Sequence, residues 1–221
     1  GPDAVHSEFP LFAMVYDAVQ SSTMIHWPRL LSLFQRAKAL CESDTVPGDF
    51  VECGVAGGGS SILLAVAIRH YSKRPRKLFS CDTFSGMPMP SDKDDSRKDD
   101  GELASATHWG EGTCSAPVAR FHDMIDAFAL GDIVSIREGL FEETLPTIDG
   151  PIAMMHLDAD WYQSTKCALK TLYPKVAANG IVQLDDFHYW GGCRKAFDEY
   201  FEKPPACEDI AGNAVVFVKK D

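Results

Sequence analysis

Acidic side chains stand at the ends of two apolar runs, where a buried strand is expected to give way to a loop. Asp158 follows the run Ile152–Leu157, and Asp185 and Asp186 follow the run Gly180–Leu184. Neighbouring parallel strands end at the same edge of a sheet, so these carboxylates are expected to lie together, where they repel one another unless a cation neutralises them. Three carboxylates without a thiolate favour a hard ion, which is Mg²⁺ or, alternatively, Mn²⁺ or Ca²⁺. The alternative is that each aspartate only caps a helix or forms a turn.

A glycine-rich segment follows another apolar run and forms the second group of chemical interest. Glu52 precedes Gly54 and Gly58, and Ser60 stands where a helix is expected to begin. Glycines at a strand-to-helix turn let the backbone approach a ligand, and the helix N-terminus offers free N–H groups. Asp82 ends the next expected strand, where an acid can accept hydrogen bonds from a ribose diol. This segment therefore predicts a nucleoside-containing cofactor.

The glycine segment alone is compatible with two cofactors. Ala56 stands where the dinucleotide motif has its second glycine, and the acidic Glu52 precedes the first glycine. A carboxylate near the loop suits the cationic sulfonium and amino groups of S-adenosylmethionine better than a pyrophosphate. A nicotinamide-dependent oxidoreductase remains an alternative, because Tyr162 and Lys166 are spaced as in such enzymes, but it leaves the aspartates unexplained. A ligand-binding protein without turnover is the non-enzymatic alternative.

Three histidines are candidates for proton transfer or for substrate contact. His188 follows the aspartate pair, and His108 lies beside Trp109 in a polar stretch. His156 lies inside the fourth expected strand, where alternation can direct its side chain away from the site. A single histidine is more often structural than catalytic, so His188 and His108 are hypotheses for the general base beside Asp158.

Strands and helices alternate along the chain, which predicts an α/β fold with a mostly parallel sheet covered by helices on both faces. A helical region precedes the first strand, at about residues 16–40, and a βαβ unit surrounds the glycine segment. The expected strands are residues 49–54, 77–82, 133–136, 152–157, 180–184 and 214–218, with later helices at about 164–176 and 191–201. Residues 91–115 interrupt this rhythm with a polar stretch, which is either a solvated loop or an active-site lid.

Length and charge limit the classes of function. The chain has 221 residues and a formal net charge of −11, which fits one domain and disfavours a nucleic-acid partner. The longest apolar stretch, Ile62–Ile68, is too short to cross a membrane, so no membrane partner is expected. Seven cysteines without zinc spacing predict reduced thiols and a cytoplasmic location.

The segment Leu157–Thr165 and six others, which follow one another in the family's order, resemble the macrocin O-methyltransferase (TylF-type) family of class I S-adenosylmethionine-dependent methyltransferases. The most specific segment is Leu157–Thr165, which contains the first of the aspartates discussed above. The other segments are Thr23–Ile25, Val46–Val55, Asp82–Pro88, Glu138–Pro146, Asp185–Phe187 and Gly192–Ala196. The resemblance implies a Rossmann-like class I methyltransferase fold with a seven-stranded sheet.

The resemblance also implies roles for particular residues. Asp158, Asp185 and Asp186 correspond to the family's metal ligands. The cofactor positions implied by the family are Thr23, Glu52, Gly54, Ser60, Asp82, Gly139 and Phe141, the last two near the adenine. Residues 1–45 are expected to form an N-terminal helical segment that contributes to the cofactor site, and residues 46–221 the methyltransferase domain, with a lid at about 89–115. Homo-oligomers are also implied.

Together these observations predict Mg²⁺-dependent transfer of a methyl group from S-adenosylmethionine to a hydroxyl of a small diol. A sugar of a natural product is the expected substrate, and a catechol-like diol is the alternative. Two vicinal oxygens would bind the metal, which lowers the pKa of the reacting hydroxyl. Asp158 or a nearby histidine would remove its proton before the oxygen attacks the methyl group in line.

Overall fold

A seven-stranded sheet forms the centre of the protein. The computed structural model describes residues 7–96 and 101–220. The strand order across the sheet is β5-β2-β1-β6-β7-β9-β8, and β3 pairs with β4 in a separate two-stranded ribbon. The strands are β1 (Asp49–Cys53), β2 (Leu78–Asp82), β3 (Asp95–Ser96), β4 (Glu102–Leu103), β5 (Val134–Glu138), β6 (Ile152–Leu157), β7 (Val176–Leu184), β8 (Glu208–Ile210) and β9 (Ala214–Val218).

The sheet is parallel from β5 to β7 and antiparallel beyond β7. The predicted mostly parallel seven-stranded sheet is therefore confirmed. The chain runs outward from β1 to β2 and β5, then returns to β6 beside β1, so the direction of winding changes between β1 and β6. Ligands of such sheets bind in the crevice at the carboxyl ends of the strands next to this change.

The other elements whose bounds are described are seven α-helices and four 3₁₀ segments. The helices are α1 (Pro10–Val19), α2 (Trp27–Ser43), α3 (Gly59–Tyr71), α4 (Val118–Ala127), α5 (Phe141–Thr144), α6 (Tyr162–Leu172) and α7 (Gly191–Tyr200). The 3₁₀ segments are Gln20–Ser22, Ala104–Ala106, Leu145–Thr147 and Tyr173–Lys175. Helices therefore cover both faces of the sheet, as the alternating pattern predicts.

Each face of the sheet has its own apolar core. Phe50 of β1 packs in the same cluster as residues of α1, α2, α3 and α4. Its neighbour Val51 packs on the other face with residues of α6 and α7. Successive side chains of a strand point to opposite faces, so one short apolar strand supplies both cores. This is why β1 and β6 appear in the sequence as continuous apolar runs.

Prolines explain where the observed helices differ from the expected ones. The expected helix at residues 16–40 is divided into α1 and α2, and Thr23 between them has an extended backbone. Pro28 stands in the first turn of α2, where its missing N–H costs nothing. Pro174 similarly ends α6 early, because a proline cannot continue the i→i−4 hydrogen bonds. Strand β7 consequently begins at Val176 and is longer than expected.

Other elements do not appear in the prediction from the sequence. The helices and strands concerned are α4, α5, β8 and the β3–β4 ribbon. The ribbon lies inside residues 89–115, the segment expected as a lid and called the polar stretch below, of which residues 97–100 lie outside the described part. All seven cysteines, each in the described part, are free thiols. Within residues 7–96 and 101–220, no helix has the length and apolar character that a membrane span requires.

Candidate active site

A cavity of about 860 Å³ opens at the carboxyl ends of the parallel strands. Its walls come from the glycine turn after β1, the end of β2, the loops after β6 and β7, and the segment that enters α2. The polar stretch at 89–115 supplies another wall through Met89, Trp109 and Cys114. A volume of this size fits a cofactor and part of a second small molecule. The predicted site residues are expected to line this cavity.

Gly54 makes the close contact between β1 and β6 possible. Its φ angle is +91°, and a Cβ at this position would lie 1.8 Å from the carbonyl oxygen of Asp158. The N–H of Asp158 donates a hydrogen bond of 2.9 Å to the carbonyl of Cys53. Any larger residue would force the two strands apart at the cavity floor, so only glycine is compatible with this arrangement.

The other glycines of the turn make room for protein rather than for a ligand. A Cβ at Gly58, where φ is +89°, would overlap the ring of Phe121, and one at Gly57 would lie 2.5 Å from the carbonyl oxygen of Ser22. Gly58 and Ser60 are not among the described residues that line the cavity. Both were expected at the cofactor, and the structure places them behind the cavity wall.

Asp82 stands at the corner between the glycine turn and the cavity. One carboxylate oxygen accepts hydrogen bonds from the N–H groups of Val55 (2.7 Å) and Ala56 (2.8 Å), and the other accepts one from Phe84 (2.8 Å). A carboxylate has about four lone-pair positions, so capacity for a hydroxyl remains. Asp82 lines the cavity at the place where a ribose is expected, and it also holds the turn in shape.

The remaining predicted cofactor residues divide into those at the cavity and those behind it. Phe141 lines the cavity. Gly139 lies one layer away, and its N–H donates a 3.0 Å hydrogen bond to the carbonyl oxygen of Asp82. Thr23 accepts a 3.2 Å hydrogen bond from the N–H of Ile25 and, of the described residues, is not one that lines the cavity.

Glu52 does not face the cavity, which differs from the sequence expectation. Its side chain is fully buried and is bonded to Ser61 of α3 and, at 2.8 Å, to Nδ1 of His156. The acid was expected beside a cationic cofactor because it precedes the first glycine. Successive side chains of β1 point to opposite faces of the sheet, and that of Glu52 points to the face covered by α2 and α3.

Asp158, Asp185 and Asp186 come together at the floor of the cavity. Each offers a carboxylate oxygen, and these oxygens lie within 4.8 Å of one another. Burial, followed by the charges of Asp185 and Asp186, raises the pKa of Asp158 well above its usual range. Burial and the charge of Asp185 raise the pKa of Asp186 to about 6. Carboxylates crowded in this way are stabilised by a bound cation.

Two residues near this cluster are not among the predicted site residues. Arg29 of α2 forms an ion pair with one carboxylate oxygen of Asp185 and lines the cavity. Asp160, with a φ angle of +54°, accepts a 3.0 Å hydrogen bond from the indole N–H of Trp190. Asp160 could have been predicted as a site residue because it stands two residues after Asp158. Nothing in the sequence of α2 distinguishes Arg29 as a site residue.

The histidines are placed differently from the aspartates. Nε2 of His188 lies 2.9 Å from a carboxylate oxygen of Asp209. The ring of His108 lies beside that of Trp109, with centroids 4.7 Å apart and the planes tilted by 41°. Neither histidine is among the described residues that line the cavity. Burial tends to lower the pKa of His156, but the neighbouring Asp185 and Glu52 carboxylates outweigh it and raise the pKa to about 9.

The pair expected for an oxidoreductase lies away from the cavity. Lys166 donates a 2.8 Å hydrogen bond to the hydroxyl of Tyr162, which in turn contacts Glu199 at 2.5 Å. None of these three described residues lines the cavity. The Tyr/Lys spacing is therefore explained by a polar contact between α6 and α7.

The polar stretch is attached to the rest of the protein by Asp94. This residue is 1% exposed, and its carboxylate accepts hydrogen bonds from the N–H of Tyr162 (2.7 Å) and from both the N–H and the hydroxyl of Ser91 (2.8 Å each). A Cβ at Gly192 would lie 1.9 Å from the same carboxylate. The stretch thus rests on the N-termini of α6 and α7, where a negative charge is favoured.

Comparison with known proteins identifies the family. A profile of the macrocin-O-methyltransferase (TylF) family matches residues 16–217. A tetracenomycin-C rhamnosyl 4′-O-methyltransferase of Streptomyces olivaceus is 34% identical over 80% of this chain and 67% of its own length. The demethyldecarbamoylnovobiocin O-methyltransferase of Streptomyces niveus is 33% identical over 85% and 71%.

Solved structures agree with this assignment. The O-methyltransferase NovP is 29% identical to this chain and superposes with a TM-score of 0.79 over 90% of this chain and 83% of its own. The calicheamicin methyltransferase CalS11 is 20% identical, and its TM-score of 0.75 over 100% and 90% of the two chains shows the shared fold. The chain described here therefore belongs to the macrocin-O-methyltransferase (TylF) family and is an S-adenosylmethionine-dependent O-methyltransferase with the class I fold.

Proposed function

We propose that this enzyme is a divalent-cation-dependent O-methyltransferase that methylates a hydroxyl of a diol on a small molecule, with a natural-product sugar as the substrate. The observation that carries the proposal is the meeting of three carboxylates, those of Asp158, Asp185 and Asp186, within 4.8 Å at the floor of the cavity. The cofactor half of the cavity is formed by Gly54, by Asp82 and by other residues at the ends of the strands.

The residues of the cluster fit a hard cation. The donor set consists of carboxylate oxygens, which Mg²⁺ prefers. One oxygen of the Asp185 carboxylate, Oδ1, is buried without a hydrogen-bond partner among the described residues. Asp158, Asp185 and Asp186 would hold the ion. When bound, the cation supplies Lewis-acid chemistry, which lowers the pKa of a hydroxyl beside it.

Asp158 is the proposed proton acceptor. Among the candidates, it lines the cavity, whereas His108 and His188 do not. Its carboxylate lies beside those of Asp185 and Asp186, where the proposed cation would hold the reacting hydroxyl. The hydroxyl proton moves to Asp158, the oxygen forms a bond to the methyl carbon, and the carbon–sulfur bond breaks to leave S-adenosylhomocysteine. The protein contributes the alignment of these atoms.

The walls of the cavity are suited to a ring-shaped acceptor. Trp109, Tyr189 and Trp190 line it, and aromatic faces of this kind pack against apolar ring surfaces. The relatives named above act on a rhamnosyl tetracenomycin and on demethyldecarbamoylnovobiocin, as their names state. A glycoside is therefore the first substrate class to test. A catechol-like diol offers the same pair of oxygens and is the second.

Methyl transfer from radiolabelled S-adenosylmethionine to a panel of glycosides and catechols tests the proposal. We expect product with at least one glycoside, loss of activity in EDTA, and recovery when Mg²⁺ is added. Asp185→Asn is expected to abolish turnover while it leaves S-adenosylmethionine affinity in calorimetry nearly unchanged. Full activity in metal-free buffer would exclude the cation requirement, and methylation of catechols alone would replace the sugar with the second substrate class.

We also propose a single domain in which the N-terminal helical segment, residues 1–45, completes the site of the domain formed by residues 46–221. The support is that Met24, Ile25, His26 and Arg29 all line the cavity. The family resemblance also leads us to propose that the protein forms a homo-oligomer. Light scattering after size exclusion measures the oligomeric state directly, and a monomer at assay concentration would contradict this part.

A further inference from the structure

A row of polar side chains crosses the centre of the sheet. Ser80 of β2, Glu52 of β1, His156 of β6 and Gln183 of β7 are register partners, each in the strand next to the previous one. All four side chains are fully buried. Register partners in neighbouring strands face the same side of a sheet, so these groups form one line beneath the cavity floor.

Most of the polar atoms in this row are satisfied within the protein. The hydroxyl of Ser61 contacts Glu52 and also lies 2.8 Å from that of Ser80. Gln183 accepts a 3.0 Å hydrogen bond from Ser32 of α2. Burial of polar groups costs free energy unless they are hydrogen-bonded, so each of these contacts is needed to make the row tolerable inside a core.

One atom of the row remains unsatisfied, and it faces a candidate metal ligand. Nδ1 of His156 lies 2.8 Å from Oε1 of Glu52, which is hydrogen-bonding distance. Nε2 of the same ring has no hydrogen-bond partner among the described residues and lies 3.8 Å from Oδ1 of Asp185, which is also buried without one. The other oxygen of Asp185 pairs with Arg29. The contacts that lead from Ser80 through Glu52 to His156 therefore continue to the Asp185 carboxylate.

We propose that His156, held by Glu52, is a positioning residue that fixes the orientation of Asp185 for cation binding. The inference rests on the cation site of the proposed function. Groups that hold a metal ligand from behind reduce its freedom to rotate, and their loss typically weakens metal binding about 10- to 100-fold. Glu52, which precedes the glycine turn, thus contributes to the metal site through His156 rather than to the cofactor directly.

Two substitutions separate the two contacts of His156. An asparagine amide reaches the position of Nδ1, so His156→Asn keeps the contact with Glu52 but loses the one towards Asp185. A glutamine amide reaches the position of Nε2, so His156→Gln keeps a donor beside Asp185. The probe is Mn²⁺ alone, titrated into the protein without cofactor and followed by electron paramagnetic resonance. We expect His156→Asn to bind Mn²⁺ about 10- to 100-fold more weakly and His156→Gln to recover part of the loss.

Ser80→Ala is the matched control, because it alters the same buried row at the end remote from Asp185. It is expected to lower the melting temperature while it keeps the wild-type affinity for Mn²⁺. Wild-type affinity in His156→Asn would overturn the positioning role, even if that variant melts earlier. If the wild-type protein itself binds no Mn²⁺, both the cation site and this inference are overturned, whereas binding by wild type and by His156→Asn alike overturns the inference alone.

Discussion

At the residue scale, Asp82 has two functions that can be separated by experiment. Its carboxylate holds the glycine turn through Val55 and Ala56, and it stands where the ribose of the cofactor is expected. A hydrogen bond to a charged group contributes about 1.5–3 kcal/mol, so Asp82→Asn is expected to weaken S-adenosylhomocysteine binding roughly 10- to 100-fold. Calorimetry measures this loss.

An analogue without the two ribose hydroxyls provides the control for Asp82. If the ribose contact dominates, Asp82→Asn changes the affinity for the 2′,3′-dideoxy analogue little. An equal loss for both ligands would assign the effect to the turn instead. Asp126→Asn, on the exposed side of α4, controls for the removal of a carboxylate in general.

Asp158 carries the second prediction at this scale, because it is both a proposed cation ligand and the proposed proton acceptor. General bases contribute about 10²- to 10⁴-fold to the rate, so Asp158→Asn is expected to lower kcat by at least 100-fold. His188→Gln and His108→Gln should keep most of the activity, since neither ring lines the cavity. Steady-state kinetics of the three variants compares them, and a large loss in either histidine variant would contradict the assignment.

At the scale of elements, the polar stretch depends on the N-termini of two helices. Gly192, in the first turn of α7, leaves room for the Asp94 carboxylate, which a Cβ would approach to 1.9 Å. Gly192→Ala is therefore expected to displace Asp94 and to cost about 1–3 kcal/mol, as other overpacked sites do. Hydrogen exchange of residues 89–115 should become faster in this variant.

Gly131 offers a matched control for that substitution, because a Cβ there meets no atom within 4 Å. Gly131→Ala should leave both the free energy of unfolding and the exchange of the polar stretch unchanged. Unchanged exchange in Gly192→Ala would show that the contact with Asp94 does not anchor the stretch. Whether the stretch opens and closes as a lid stays a prediction.

Elements also show how far the sequence alone leads. Strands such as β1 and β6 could be predicted because burial on both faces leaves a continuous apolar run, and the aspartates at strand ends could be grouped because parallel strands end together. The pairing of Glu52 with His156 could not, because it depends on the register between strands that are far apart in the sequence. A strand as short as β8, which has three residues, lacks enough periodic residues to be recognised.

At the scale of the whole molecule, negative charge is concentrated where the chemistry is proposed. The chain has a net charge of −11, and the cavity is lined by several carboxylates, whereas Arg29 is the only lysine or arginine among the described lining residues. A cavity of this sign attracts cations and disfavours an anionic substrate. The sulfonium group of the cofactor and a divalent ion are both cations, so the negative charge of the cavity favours the binding of each.

The same charge predicts how stability depends on pH and on metal. Burial and the neighbouring Asp185 raise the pKa of Asp186 from 3.8 to about 6, so the folded protein holds this proton more tightly than the unfolded chain. Stability contributed by such a group is complete below the unfolded value and is lost as the pH rises towards the folded value. Without metal, the contribution of Asp186 to the free energy of unfolding should therefore fall by about 1 kcal/mol between pH 5 and pH 6.

A divalent cation should reverse this fall, because it binds the ionised carboxylates of the folded protein and not those of the unfolded chain. Urea unfolding at pH 5 and pH 6, in EDTA and in Mg²⁺, measures both effects. Asp186→Asn removes one of the crowded charges and is expected to flatten the pH dependence in EDTA and to lose most of the stabilisation by Mg²⁺. Equal unfolding free energies in EDTA and in Mg²⁺ for the wild-type protein at pH 6 would contradict a cation at this cluster.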